Sequence, residues 1–420
     1  MSKPSAGKVK GVPSYGWVVA AAGGIAILVA GNFQYAFGVF LKPLVNQFGW
    51  SRAAISGSVA TRGLLSGVLS PFAGNLSDKH GPRKFIFAGV MLVGTGYLLA
   101  SRISELWQLY LYLGILVGAG MALFYIPFVG TVTKWFGGRA ALAIGVLLSG
   151  FSAAQIILPP MATSFITKYG WDTCFTILGA TALGIGIIAG SFCRNPPPGL
   201  PDAQMGSQAG SGVVGEEGII PTTPSYTLSE ALHTPTLWTM FMIYLNVAVC
   251  SQLIAIHIVA AAIDDGITPE AAALILTFGG ITNTLGRLTI GFLSNRIGNK
   301  KALALCLAIQ APALFVLAGT HNLYIFYLIS AAYTFAYAGV SPIMPTMSAS
   351  LFGTKSVGSI FGVLNMGFTL GLSIGPLLGG FFYDFTGNYT IAFLFTAIAT
   401  TVTFLLCLSM KPLREREMGS

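Results

Sequence analysis

Long apolar runs follow one another along this chain, parted only by short charged or Pro/Gly-rich breaks. A helix needs about 20 mostly apolar residues to cross a bilayer. Read run by run, the chain predicts twelve spans, near 15–41, 51–77, 84–101, 105–134, 139–167, 171–193, 235–262, 269–294, 301–319, 322–352, 356–383 and 388–410. No strand-like alternation occurs, so a β-barrel is excluded. Only 8% of the 420 residues are charged. A soluble domain carries about 25%, because charge has to cover its surface. Disorder is excluded by the same figure. The net charge of +9 is not a nucleic-acid footprint, since the basic residues sit in short clusters between apolar runs, as they do in membrane proteins. The five cysteines are scattered, with neither disulfide nor metal-ligand spacing, so no metal or cofactor is expected.

One long polar stretch, rich in Gly, Ser, Pro and Thr, separates spans six and seven. Such a composition cannot bury a core and reads as a linker. The expected organisation is a six-helix bundle over 1–193, a cytoplasmic linker over 194–230 and a second bundle over 231–420. Placing both termini in the cytoplasm puts sixteen basic residues inside and four outside, namely Lys42, Arg52, Arg102 and Lys168. That bias predicts a multi-pass protein of the cell membrane with cytoplasmic termini.

The two halves are related at an offset of 217 residues. Gly74-Asn-Leu-Ser-Asp-Lys-His-Gly-Pro-Arg-Lys84 aligns with Gly291-Phe-Leu-Ser-Asn-Arg-Ile-Gly-Asn-Lys-Lys301. The same offset lays Gly145-Val-Leu on Gly362-Val-Leu, Gly150-Phe151 on Gly367-Phe368 and Pro159 on Pro376. A duplicated six-helix unit suits alternating access, in which two bundles rock about a site near the midplane. Pro127, Pro342 and Pro345 interrupt spans four and ten and are candidate gating bends.

Gly74-x-Leu76-x-Asp78-x-x-Gly81-x-Arg83-Lys84 is similar to the loop signature of the major facilitator superfamily. Lys134-Trp-Phe-Gly-Gly-Arg139, leading into Leu-Ala-Ile-Gly145 and Gly150, resembles the span-five signature of monocarboxylate transporters. Tyr15-Gly16-Trp17 and Gly375-Pro-Leu-Leu-Gly-Gly-Phe-Phe-Tyr383-Asp384 fit the same group. The resemblance covers the whole chain, and oxalate/formate exchangers share much of it. It implies an all-α membrane protein of twelve transmembrane helices in two six-helix bundles. The implied activity is proton-coupled movement of a small monocarboxylate of the lactate or pyruvate type. Exchange of carboxylate anions, or substrate sensing by a retained transporter fold, are the alternatives.

The charges point the same way. All thirteen acidic residues fall in loops or at span ends, yet Arg287 lies near the middle of span eight. An arginine at that depth costs about 2.5–3.5 kcal/mol on insertion scales, and such residues usually face a cavity. Its planar fork matches a carboxylate, so the missing counter-ion reads as substrate. Asn283, one turn earlier, is placed to orient the guanidinium or to bind a substrate hydroxyl. Arg62 in span two either adds positive potential to an anion path or pairs at the rim with Asp384; with Arg287 it would suit a dianion. His257 in span seven is a proton-relay candidate, since histidine titrates near neutrality.

Tyr125, Tyr333 and Tyr337, with Phe124, Leu28 and Asn365, complete the candidate pocket. Asp78, Arg83 and Lys84 are a candidate conformational latch whose charge pairs break on switching. The monocarboxylate transporter resemblance implies Asp-x-x-x-Arg in span eight, where this chain has Asn283, and a span-one lysine, where it has Gly38-Val39. A proton must therefore ride elsewhere. No phosphate-binding loop marks an ATP-driven pump, and the spans offer no nucleophile–base pair for an enzyme. The expected partners are a small carboxylate, a proton and the lipid bilayer; nothing bears on an accessory subunit.

Overall fold

The computed structural model describes residues 14–30, 33–136, 140–196, 226–353 and 356–410. Most of the expected linker therefore lies outside the described residues.

Span one is two helices, α1 (Ser14–Ala30) and α2 (Phe33–Phe48). Spans two and three are α3 (Arg52–His80) and α4 (Pro82–Ala100). Span four runs through α5 (Leu106–Leu109), a π-helical stretch (Tyr110–Leu116) and α6 (Val117–Phe136). Spans five and six are α7 (Ala140–Tyr169) and α8 (Trp171–Ser191). After a short α9 (Leu228–Leu232) come α10 (Pro235–Asp264), α11 (Pro269–Ile297) and α12 (Asn299–Gly319). Then follow α13 (Leu323–Phe352), α14 (Val357–Thr386) and α15 (Thr390–Ser409). No strand occurs among the described residues.

Local chemistry sets these ends. Proline opens α4, α10 and α11, where its missing N–H is no loss. Ser51 and Asn322 accept the first free N–H groups of α3 and α13. All six tryptophans lie at span ends: Trp17, Trp135 and Trp238 on the face that bears the termini, Trp50, Trp107 and Trp171 on the far face. Tryptophan belts of this kind mark the two membrane interfaces.

Nine described helices are long and apolar enough to cross a bilayer. The 29-residue helices α3 and α11 are not among them. Each is diluted by Gly, Ser or Thr and carries an interior arginine, which a helix can afford only if it faces protein or a cavity rather than lipid.

The duplication extends to backbone torsions. Seven described glycines have positive φ, a region that costs other residues strain. Six of them form three pairs at the 217-residue offset: Gly49 with Gly266, Gly81 with Gly298, and Gly170 with Gly387. Within each half α1 packs on α7, and α10 on α14. Between the halves α3 meets α14 and α7 meets α11. A Cβ on Gly63 would lie 2.9 Å from Ser373 Oγ, and one on Gly280 would lie 2.8 Å from Ile156 Cγ1. Since 63 and 280, like 156 and 373, differ by 217, these are one contact made twice about a pseudo-two-fold axis.

On the far face the halves are tied by charge. Asp264 of α10 takes Lys42 of α2 at 2.8 Å and the Arg52 fork of α3 at 2.7 and 3.0 Å. The Asp384 carboxylate of α14 accepts the backbone N–H groups of Arg52 and Ala53, both at 2.9 Å, completing the start of α3. Asp384 is thus engaged by the first residues of α3, and the pairing with Arg62 considered above is not formed: Arg62 lies ten residues deeper on the same helix. The Arg52 guanidinium stacks 3.5 Å from the Tyr383 ring. Thr167 and Glu270 add a bond between α7 and α11.

Two outcomes are expected. Gly280→Val should cost about 1–3 kcal/mol by overpacking the seam, seen as a lower melting temperature in detergent. Gly145→Val, where a Cβ meets nothing within 4 Å, should stay within about 0.5 kcal/mol. Asp264→Asn should unlock the far face. The native cysteines described are all buried, so a membrane-impermeant thiol reagent applied from that face reports on an added Ser56→Cys. Labelling several-fold faster than in the Asp264 background is expected; equal rates would show that the ion pairs do not hold the face shut.

Candidate functional site

Between the bundles lies a cavity of about 390 Å³, near the lower end of the roughly 300–1,000 Å³ usual for small-molecule sites. Its deep end is formed by Val59 and Arg62 of α3, Met121 of α6 and Gln252 of α10. Toward the terminal face follow Ser66 and Ser70, Tyr125, Tyr244, Arg287, Tyr337, Ser341, Asn365 and Phe368. With the far face held by the Arg52 and Lys42 pairs, its open side is the terminal one.

Arg287 reaches this wall from α11. Its Nη2 donates to Asn283 Oδ1 at 3.4 Å, and its Nε is buried without a hydrogen-bond partner among the described residues. Among the described residues that line the cavity, none is a carboxylate. Asn283 is buried and lies behind the wall, so of its two expected roles the geometry favours holding the guanidinium. Tyr125 and Tyr337 both reach the cavity. Tyr125 packs edge-on against Phe151, whose ring also reaches the cavity.

Of the other expected pocket residues, Asn365 lines the cavity and three do not. Phe124 is fully buried between α6 and α4, against Gly89. Leu28 packs into the apolar core of the first half. Tyr333 is buried one turn from Tyr337, its ring parallel at 6.3 Å, with its hydroxyl unpartnered among the described residues. A helix presents only one stripe to a cavity, and depth alone does not say which stripe. Arg62 is on the wall and 5% exposed.

Gln252 was missed by sequence reasoning. It is 3% exposed yet reaches the cavity, and its signal was an amide in the middle of an apolar span.

His257 is not on the cavity wall. It is fully buried beneath the far-face cluster, where Gly379 leaves room for its ring. Nε2 lies 2.9 Å from the Pro376 carbonyl, and Nδ1 lies 3.0 Å from the Tyr389 hydroxyl. A carbonyl only accepts, so Nε2 carries the proton and Nδ1 accepts from Tyr389. The Tyr389 oxygen in turn accepts from Arg52 Nη1 at 2.6 Å. An unbroken hydrogen-bonded row thus joins Asp264, Arg52, Tyr389 and His257. Arg52 and Tyr389 were also missed, because sequence position placed them at the outer ends of spans.

At the terminal face Arg83 and Lys84 are exposed, and the Arg83 guanidinium lies 5.6 Å from the Phe87 ring. The side chain of Asp78 lies outside the described residues, so the latch expectation rests on sequence alone.

Comparison with known proteins follows this geometry. The chain is 26% identical over 419 residues to monocarboxylate transporter 13 of Rattus norvegicus, covering 96% of this chain and 93% of the relative. Against monocarboxylate transporter 11 of Homo sapiens it is 26% identical, covering 90% and 79%. An uncharacterized MFS-type transporter of Escherichia coli strain K12, YhjX, is 24% identical, with 76% of each chain covered. A bacterial homologue of the human lysosomal transporter Spinster, solved inward-facing and occupied, superposes with a TM-score of 0.72 at 16% identity over 97% of each chain. At that identity the likeness speaks for the fold alone. The family profile described as Major Facilitator Superfamily matches residues 23–262 and 253–419. The duplicated bundles, the midplane cavity and this match together establish that the chain belongs to the Major Facilitator Superfamily and is a transporter resembling the monocarboxylate transporters.

Proposed function

We propose that this protein moves a small monocarboxylate of the lactate or pyruvate type together with a proton, by alternating access across the cell membrane. The observation that carries the reading is the Arg287 guanidinium on a cavity wall whose described residues include no carboxylate. A bound carboxylate supplies the missing charge through two parallel hydrogen bonds. Tyr125, Phe151 and Tyr337 offer an apolar enclosure for a short carbon body. Neutralising Arg287 lowers the cost of closing the bundles around it, because an uncompensated charge is expensive to take out of water. With the termini in the cytoplasm, as the basic residues favour, the conformation described is open to the inside.

In this reading His257 couples the proton. The groups facing it are Arg52, Tyr389, Ser56 and the Pro376 carbonyl, with Asp384 and Asp264 beyond. Protonation at Nδ1 turns an acceptor into a donor. The Tyr389 oxygen must then take hydrogen bonds from both Arg52 and His257 and turn its own O–H elsewhere. That strains the contact on which the Arg52–Asp264 closure leans. A proton from outside thereby favours opening to the outside, as inward symport requires.

Uptake of labelled L-lactate into proteoliposomes tests the reading. Accumulation driven by an inward proton gradient and collapsed by a protonophore is expected. Uptake that appears only in vesicles preloaded with another carboxylate would replace symport with exchange. Arg287→Lys keeps the charge but loses the fork; it should weaken transport at least tenfold, and near-normal affinity would refute the carboxylate clamp. His257→Gln keeps hydrogen bonding without titrating, so the rise in uptake as external pH falls should flatten. An unchanged pH profile would return His257 to packing.

A further inference from the structure

We propose that Gln252 reads the oxygen on C2 of a bound acid, so that the cavity selects 2-hydroxy and 2-keto acids over unsubstituted ones. The inference rests on the reading that Arg287 anchors the carboxylate. Gln252 is 3% exposed and lines the cavity from the middle of α10. Its amide is in no hydrogen bond among the described residues. Arg62, at the same end of the cavity, is already engaged, and Val59 and Met121 beside it are apolar. The amide is thus the group at that end whose hydrogen bonds remain to be filled. Water fills them while the cavity is open. When the bundles close and expel water, only an oxygen of the ligand can, and an amide left unpaired in a dry site is costly.

The depth of the amide matches that of the guanidinium. α10 ends at Asp264 and α11 begins at Pro269, so the two helices start from a common level at the far face. Gln252 lies twelve residues from that end of α10, and Asn283 lies fourteen from that end of α11. At about 1.5 Å per residue these are depths of about 18 and 21 Å. Arg287 reaches back one turn to Asn283 Oδ1 at 3.4 Å, which sets its charged end at the Asn283 level. Helical side chains lean toward the N-terminus of their helix, and in α10 that carries the Gln252 amide toward the same level. Close packing of α14 holds this turn of α10 in place: a Cβ on Gly375 would lie 3.2 Å from Gln252 Cβ. A carboxylate on Arg287 therefore presents its C2 substituent to the amide. The amide suits both oxidation states, since its N–H donates to a keto oxygen and its carbonyl accepts from a hydroxyl. An unsubstituted acid offers only C–H there. Sites that hydrogen-bond a substrate oxygen reject the analogue lacking it far more strongly than apolar pockets do.

The test titrates L-lactate, pyruvate and propionate, which differ only at C2, against the purified protein near neutral pH, with thermal stabilisation as the readout. L-Lactate and pyruvate should half-saturate at concentrations at least about tenfold below that of propionate. Gln252→Met, similar in length but without the amide, should bring both to the propionate level. Gln252→Leu is the second variant, read by the same ratio. Equal potency of the three acids in the wild-type protein overturns the inference while leaving the carboxylate clamp at Arg287 intact. A margin that survives in either variant, even with all three acids weakened, shows a structural role for Gln252 and overturns it too. Absence of stabilisation of the wild-type protein by any of the acids overturns both readings. The wild-type ratio can overturn the inference even where a variant fails to fold.

Discussion

A charged side chain in hydrocarbon must find a partner, a cavity or an interface, and the placement of the few charges in this chain follows from that constraint. The far-face cluster gathers four of them into one network. Asp264 alone holds Lys42 and both arms of Arg52, and Asp384 holds the backbone at the start of α3. These contacts cross from one bundle to the other. The cavity is open on the terminal side because the opposite side is shut by them.

That closure also contains the residue to which the proposed function assigns the proton. Tyr389 lies between Arg52, which ties the bundles, and the fully buried His257. Arg287 lies deeper, on α11, and takes no part in that row. In the proposed function, Arg287 and His257 give substrate and proton separate addresses. The seam between the two bundles is built twice, as Gly63 against Ser373 and Gly280 against Ile156.

Much of the cavity wall was legible beforehand, for a reason specific to membranes. In water an exposed arginine says little; in the middle of span eight Arg287 had to face something polar. Asn283, Tyr125, Tyr337 and Asn365 followed from helical spacing and depth, and all lie at or directly behind the cavity wall. The same reasoning misplaced Phe124, Leu28 and Tyr333. Each has suitable depth but faces a neighbouring helix, and rotation about a helix axis depends on packing that a single apolar span does not encode. Arg52, Asp264 and Tyr389 escaped notice because residues at span ends are ordinarily solvated, whereas here the ends of spans two, seven and twelve are pressed together.

What the sequence by itself determined is the twelve-span count, the duplication at 217 residues and the presence of positive charge at depth. These are one-dimensional properties: apolar length against bilayer thickness, glycine where only positive φ fits, and the high cost of a buried ion. Only the tertiary structure decided which face of each helix meets the cavity, and that His257 belongs to the far-face closure rather than to the substrate wall. It also decided that Asp384 serves the start of α3 instead of Arg62. Those outcomes depend on contacts between residues hundreds of positions apart, and it is the packing of two separate bundles that brings them within hydrogen-bond reach.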